Sequence, residues 1–344
     1  MILGLGLLLT AVATAGKKLE LKDVTNGTFY AQSMVMGKPM PDGDSYARLG
    51  KENRSIELYS FRTGRQTGVL FDADQVKGDS LEQLDNFLIS PTGNRVLLQT
   101  ATAPIYRYSL TAQFYVYSVD DQTLKPLSMN GAQQTPLFSP DGQRVAFVRE
   151  NNIFLKQLNG DNAETQVTTD GERNSIINGI PDWVNEEEFG NDRAMVFTAD
   201  GRQLVWIRYD ETDVRQYSMP LFKGLEPERK QYADYPGFYT YKYPIAGEKN
   251  SKVTVWSYDI ETRKTQQLQV PLDADGYIPR VVTTSQSGQV AVYTMNRHQD
   301  CLRIYMVNAA TGQCRMVLEE KSDRYVRENA MNDICITPHH MVVP

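Results

Sequence analysis

The residues best equipped to do chemistry lie in one run, Asp182-Trp183-Val184-Asn185-Glu186-Glu187-Glu188-Phe189. Three adjacent carboxylates repel one another, so folding alone gives little reason to set them between a Trp and a Phe. Two carboxylates held near aromatic surface make a receptor for a positive charge, such as the free amino terminus of a peptide. That amine, with an ordinary pKa of about 7.7–8.0, is largely protonated at neutral pH and can donate to both. The bland alternative is a solvated acidic loop, so the weight rests on what surrounds the run.

Other reactive side chains are sparse. The three histidines are His298, His339 and His340, and no metal-ligand spacing is present; His339-His340 reads as a strand or loop feature. Cys301, Cys314 and Cys335 are odd in number, so at least one is unpaired. A turn near Thr311-Gly312 does not set Cys301 opposite Cys314, and no essential disulfide is expected. No G-x-S-x-G nucleophile elbow occurs. Gly78-Asp79-Ser80-Leu81 spells a lipase string, but in a polar stretch without strand-helix alternation. No cofactor and no metal are called for.

The elements that must position the acidic run are strands. A Gly-containing turn followed by an apolar strand recurs: Ser90-Pro91-Thr92-Gly93 before Val96-Leu97-Leu98, Ser139-Pro140-Asp141-Gly142 before Val145 to Val148, and Thr198-Ala199-Asp200-Gly201 before Leu204 to Ile207. A weaker copy, Ser285 to Gly288, precedes Val290 to Tyr293. Pro presets φ early in such a turn and Gly accepts a positive φ late in it. Second strands follow at Ile56–Phe61, Phe114–Tyr117, Ile153–Leu155, Val253–Trp256 and Leu302–Val307. Gly93 and Gly142 are 49 residues apart, Gly142 and Gly201 59. Four strands per unit of roughly 40–50 residues predict an all-β chain, a β-propeller of four-stranded blades, with about five present. The segment from Asp210 to Lys252 is too long for a blade turn and predicts an insertion or extended hairpin. It carries Tyr232, Tyr235, Phe238, Tyr239, Tyr241 and Tyr243, which suit packing on a neighbour better than a binding face. Residues 183–189 can form a short helical turn with Asp182 as N-cap.

Bulk composition narrows the partners. Lys+Arg is 36 and Asp+Glu 42, a net charge of −6, which argues against a nucleic-acid partner. Residues 1–15 read as a signal peptide: Ile2 to Leu9 is apolar and Ala13-Thr14-Ala15 resembles a cleavage site, although no basic residue precedes it. The alternative is a buried N-terminal strand. The signal reading predicts an exported protein, periplasmic or secreted.

The acidic run resembles the signature of the dipeptidyl peptidase IV family. Tyr106-Arg107-Tyr108-Ser109-Leu110-Thr111-Ala112, Tyr209 to Pro220 and Tyr243 to Asn250 resemble that family at matching order and spacing. The resemblance implies that Glu187 and Glu188 bind the α-ammonium of a peptide substrate. It implies that Arg107 braces the acidic pair and contacts the first substrate carbonyl, while Glu186 and Trp183 are structural. Asn185 departs from the family, where an aromatic is usual. The family's propeller has eight blades, so 16–344 is expected to be an incomplete N-terminal propeller, with a C-terminal α/β-hydrolase domain absent from this chain. The Asp333 to Pro338 stretch is expected to open a further blade of a longer peptidase; the other possibility is a genuine short protein that closes by other means. The complete protein is expected to be a serine dipeptidyl peptidase releasing X-Pro or X-Ala dipeptides, and a homodimer whose contact surfaces lie largely outside this chain. This chain alone is expected to be inactive. The competing class is a non-catalytic exported propeller acting as a binding scaffold. A third reading, a relative that cleaves internal peptide segments, has no use for the acidic run.

Overall fold

The computed structural model describes residues 18–31, 37–225, 228–327 and 331, and the backbone of 335–336 and 341–342. The leader expected at 1–15, the Cys335 side chain and His339-His340 lie outside the described residues. The chain divides into two compact units, 1–37 and 38–344. The described part of the first holds one short helix, Leu21–Thr25.

The second unit is all-β and built as propeller blades. The first blade runs Lys38–Pro39, Ser45–Leu49, Ser55–Ser60 and Gln66–Asp72, each strand antiparallel to the next in chain order. The third blade (Gln134–Phe138, Arg144–Arg149, Asn152–Gln157, Glu164–Gln166) and the fifth (Tyr277–Thr283, Gln289–Met295, Cys301–Asn308, Cys314–Lys321) repeat that order. Two blades depart from four strands. In the second, Asn86–Ile89, Arg95–Pro104, Leu110–Ser118 and Thr123–Pro126 gain a parallel edge strand, Lys77–Gly78, so the lipase-like string lies at a blade edge. In the fourth, the first strand is broken into Ile176–Asn178 and Met195–Phe197, both paired to Gln203–Asp210, with Lys252–Asp259 and Thr265–Leu268 completing the sheet. The break is what admits the acidic run. A further strand pair, Cys335–Ile336 with Met341–Val342, follows the fifth blade.

Coverage of the inner strands on both faces explains the burial. Val96, Leu97 and Leu98 in the second blade, Val145 to Val148 in the third and Leu204 to Ile207 in the fourth are buried whole, as strands covered on both faces must be. Burial of such side chains is the dominant stabilising term, roughly 1.5–3 kcal/mol each. Trp206 spends its N–H on Asn178 Oδ1 at 3.1 Å, so even its polar atom is satisfied inside the fourth blade.

The recurring turns take the expected conformation: Gly93, Gly142, Gly201 and Gly288 have φ of 75°, 67°, 67° and 67°. A buried hydroxyl closes each of the first three. Arg95, Arg144 and Gln203 donate their backbone N–H to Ser90 Oγ, Ser139 Oγ and Thr198 Oγ1 at 3.1, 2.9 and 3.1 Å. Consecutive turns also touch, since a Cβ on Gly142 would meet Thr92 Oγ1 at 2.8 Å, and one on Gly201 would meet Pro140 Cδ at 3.4 Å. Ser287 donates to Asp200 Oδ2 at 2.5 Å and ties the third turn to the fourth. Turn chemistry therefore does two jobs, ending a strand and registering one blade against its neighbour.

Cys301 pairs in register with Lys321 and Cys314 with Val307, so the two are not opposite, and both thiols are free. The Asp210 to Lys252 segment is a hairpin, Gln216–Leu221 with Gly237–Lys242, set between the second and third strands of the fourth blade.

Candidate functional site

The site is a seven-residue helix, Trp183–Phe189, inserted in the broken first strand of the fourth blade. A helix this short is marginal in isolation, and its ends are fixed by specific groups. Asp182 caps it: Oδ1 accepts from Asn185 N at 2.9 Å and from Asn185 Nδ2 at 2.8 Å, and Oδ2 accepts from Ser251 Oγ at 2.5 Å. Gly190 ends it in the left-handed region, φ 60° and ψ 39°. Asn185, where the resemblance leads one to expect an aromatic, is buried and doubles the cap. That is the physical use of an amide at this place.

The three carboxylates of the run have three environments. Glu186 is buried, and its Oε1 accepts the backbone N–H of both Tyr108 and Ser109 at 2.8 Å. It thereby fixes the bend of the second blade that carries Arg107, which supports the structural role expected of it. Glu187 is 23% exposed and its Oε1 takes both Arg107 Nε, at 2.8 Å, and Arg107 Nη2, at 2.5 Å. The carboxylate pushes the Arg107 guanidinium further up by hydrogen bonding and charge. Glu188 is exposed and lines a cavity of about 440 Å³ with Trp183, Tyr243, Tyr277 and Arg297. The structure thus brings Arg107 and Glu187 into direct contact across 80 residues of chain, with Glu188 one residue on along the helix. Both contacts fall on Oε1, and Glu187 Oε2 meets no donor among the described residues.

Trp183 packs on the hairpin. It is half-buried against the hairpin, with ring centroids 4.1 Å from Tyr243 and 6.1 Å from Tyr241. Tyr241 also meets Tyr106 at 5.5 Å and Tyr239 at 5.1 Å. The aromatic row of the hairpin therefore packs on the acidic helix and on the Arg107 bend, as expected of a row that packs on its neighbour. A cation beside these carboxylates also sits near π-faces that favour it.

Two site residues escaped sequence reasoning. Ser251, whose hydroxyl holds Asp182, sits one residue past the Tyr243 to Asn250 stretch. Glu211 is buried, and its carboxyl is pushed up to about 7, first by burial and then by the Asp182 charge, with Lys242 opposing. The signal available was its place inside the Tyr209 to Pro220 stretch, but nothing in the spacing marks it as buried. Among the described residues, no group of three or more His, Cys, Asp or Glu could hold a metal ion.

A broken blade strand that presents an arginine-paired carboxylate helix beside aromatic surface sets this β-propeller apart from a regular repeat of blades. The model of the dipeptidyl peptidase IV N-terminal region matches residues 90–340, and the chain belongs to that family. The crystal structure of Porphyromonas gingivalis dipeptidyl peptidase 4 superposes with a TM-score of 0.86 at 40% identity, covering 93% of this chain and 45% of that one. A "probable dipeptidyl-aminopeptidase B" of Talaromyces marneffei is 32% identical over 322 residues, 87% of this chain and 35% of that protein. One of the same name from Talaromyces stipitatus is 31% identical over 329 residues, 88% of this chain and 36% of its own length. The chain thus spans about a third of these curated relatives and less than half of the solved structure.

Proposed function

We propose that this chain is the substrate-recognition propeller of an exported serine dipeptidyl peptidase that releases N-terminal X-Pro and X-Ala dipeptides. Glu187 and Glu188 take the α-ammonium of the peptide. Arg107 holds Glu187 and offers its remaining donors to the first substrate carbonyl. The observation that carries the reading is the Arg107–Glu187 pair, 2.5 Å at its shortest and 62% exposed on the arginine side, on a helix capped at both ends. A surface pair of this kind contributes little to stability, about 0–1 kcal/mol, so stability does not account for so elaborate a mounting.

The chemistry follows from the mounting. Fixing the ammonium at one end sets a ruler, so that only the bond two residues away reaches a nucleophile supplied by a hydrolase domain elsewhere in the complete protein. Binding energy at the amine thereby positions the reacting bond. The leader-like residues 2–15 support export. A non-catalytic scaffold would have no use for the Arg107–Glu187 pair.

The test is kcat/KM on an X-Pro amide in the complete enzyme. Losing one charge-assisted hydrogen bond of about 1.5–3 kcal/mol predicts a fall of about 10- to 100-fold for Glu187→Ala and for Glu188→Ala. Unchanged kcat/KM in both variants sinks the assignment.

A further inference from the structure

Behind the acidic helix lies a second cavity, of about 450 Å³, that the amine site does not use. It lies inside the second unit, and its walls come from the bend at Tyr106, the helix, the hairpin and the end of the strand at Glu211. Two buried carboxylates line it. Glu186 is 1% exposed and its Oε2 has no hydrogen-bond partner, while Oε1 is fully engaged with backbone N–H. Glu211 is 6% exposed, and its carboxyl accepts from no donor among the described residues. Tyr106, Tyr239, Tyr241 and Trp183 supply aromatic surface to the same space.

Buried carboxylates without donors are costly unless something completes them. The protein's own cations do not. Lys242 lines the cavity, but its Nζ donates to the carbonyls of Thr212 at 3.1 Å and Val214 at 2.7 Å. Arg173 is exposed. Asp182 also lines the space, with both its oxygens occupied by Asn185 and Ser251. What remains is an aromatic-walled cavity lined by Glu211, whose carboxyl meets no donor among the described residues, and by Glu186, whose Oε2 is unpartnered while its Oε1 is held by backbone N–H.

We infer that this cavity is a binding site for an organic cation, an alkylguanidinium or alkylammonium group carried on a short aliphatic stem, with Glu211 and Glu186 as its counter-charges and the tyrosines as its walls. Planar guanidinium suits it best, because it pairs with carboxylates and stacks on rings at once. The stem would come either from a basic side chain of a peptide or from a free amine. Either source presents a delocalised or compact monocation to the same carboxylates.

The site titrates. Glu211 faces Asp182 at the helix cap, Lys242 on the hairpin and Tyr106 on the bend, and its proton leaves only around neutrality. Cation binding should therefore strengthen from pH 6 to pH 8.5.

The experiment is calorimetric titration of the 344-residue chain at pH 8.5 with N-acetyl-argininamide, whose blocked amine cannot use Glu187 and Glu188, and with n-butylguanidinium. N-acetyl-citrullinamide is the neutral isostere. We expect at least one guanidinium probe to bind at least tenfold more tightly than the citrulline compound. Binding by both probes, or by only one, identifies the source the site accepts. Glu211→Gln should weaken it at least fivefold, as should Tyr239→Leu, which leaves every carboxylate in place. Glu187→Gln should not change it. Equal binding of the citrulline compound, or no binding of either cation, overturns the proposal. So does a loss in Glu187→Gln with Glu211→Gln unaffected, which would place the cation at the amine site. The amine assignment is tested separately by kcat/KM in the complete enzyme, so either can fail alone.

Discussion

Glu211→Gln should stabilise this chain, and only above a defined pH. In the fold, the Glu211 carboxyl titrates at about 7 against an ordinary 4.5, because burial and the Asp182 charge oppose ionisation more than Lys242 favours it. A carboxyl whose pKa is raised on folding stabilises the fold fully below its unfolded pKa. That stability is lost as pH climbs from about 4.5 through about 7. Roughly 2.5 pH units at about 1.36 kcal/mol each set a ceiling of about 3 kcal/mol on the cost carried above neutrality. Gln keeps the volume and removes the charge. At pH 4 the wild-type carboxyl is largely neutral in both the folded and the unfolded chain, so the two proteins should unfold at nearly the same urea midpoint. At pH 8 the Gln variant should be the more stable by about 2–3 kcal/mol, with the difference opening between the two pKa values. Asp182→Asn should lower the Glu211 pKa and shrink the opening, since Asp182 is the second of its two causes. A constant Gln-minus-Glu difference from pH 4 to pH 8 would refute the reasoning, as would a directly measured Glu211 pKa near 4.5.

Three further outcomes follow from the same geometry. Arg107→Lys should raise KM for X-Pro amides in the complete enzyme several-fold, because a point charge cannot reproduce the two contacts from Nε and Nη2 to Glu187; wild-type kinetics in the Lys variant would show that the fork is idle. Asp182→Ala removes the cap and strands the buried hydroxyl partner Ser251, and should lower unfolding stability by about 2–3 kcal/mol in urea melts, where a loss below about 0.5 kcal/mol would mean that the helix is held otherwise. Gly142→Ala should cost clearly more than Gly64→Ala in the same melts. Both residues have positive φ (67° and 64°), worth about 1–2 kcal/mol of strain, but only the Gly142 Cβ strikes a neighbour; equal losses would deny the contact between turns.

The blades were legible because their signals are local. A Pro or small residue, then Gly, then alternating apolar residues specifies a turn and the strand after it within about ten residues, and the structure returns those turns with positive φ at Gly93, Gly142, Gly201 and Gly288. Arg107 and Glu187 were named from separate stretches, and 80 residues of intervening chain bring them to hydrogen-bond distance. The break in the fourth blade was not legible. Ile176–Asn178 and Met195–Phe197 are each three residues long, too short for periodicity to distinguish from loop, and only their shared pairing with Gln203–Asp210 shows them to be one strand interrupted.

Glu211 shows why the second cavity stayed out of sight. A carboxylate in a polar stretch such as Asp210-Glu211-Thr212-Asp213 reads as solvated, because most are. Its burial arises from two distant insertions, the helix in the first strand of the blade and the hairpin between the second and third, which close over the end of Gln203–Asp210 from opposite sides of the sequence. Neither insertion is needed to make a blade, as the first and third blades show by lacking both. The departures from the repeat are therefore where the acidic helix, the aromatic row and the two buried carboxylates all sit. In a repeat protein of this kind the regular pattern supports the fold, and the interruptions of the pattern are the places to look for chemistry.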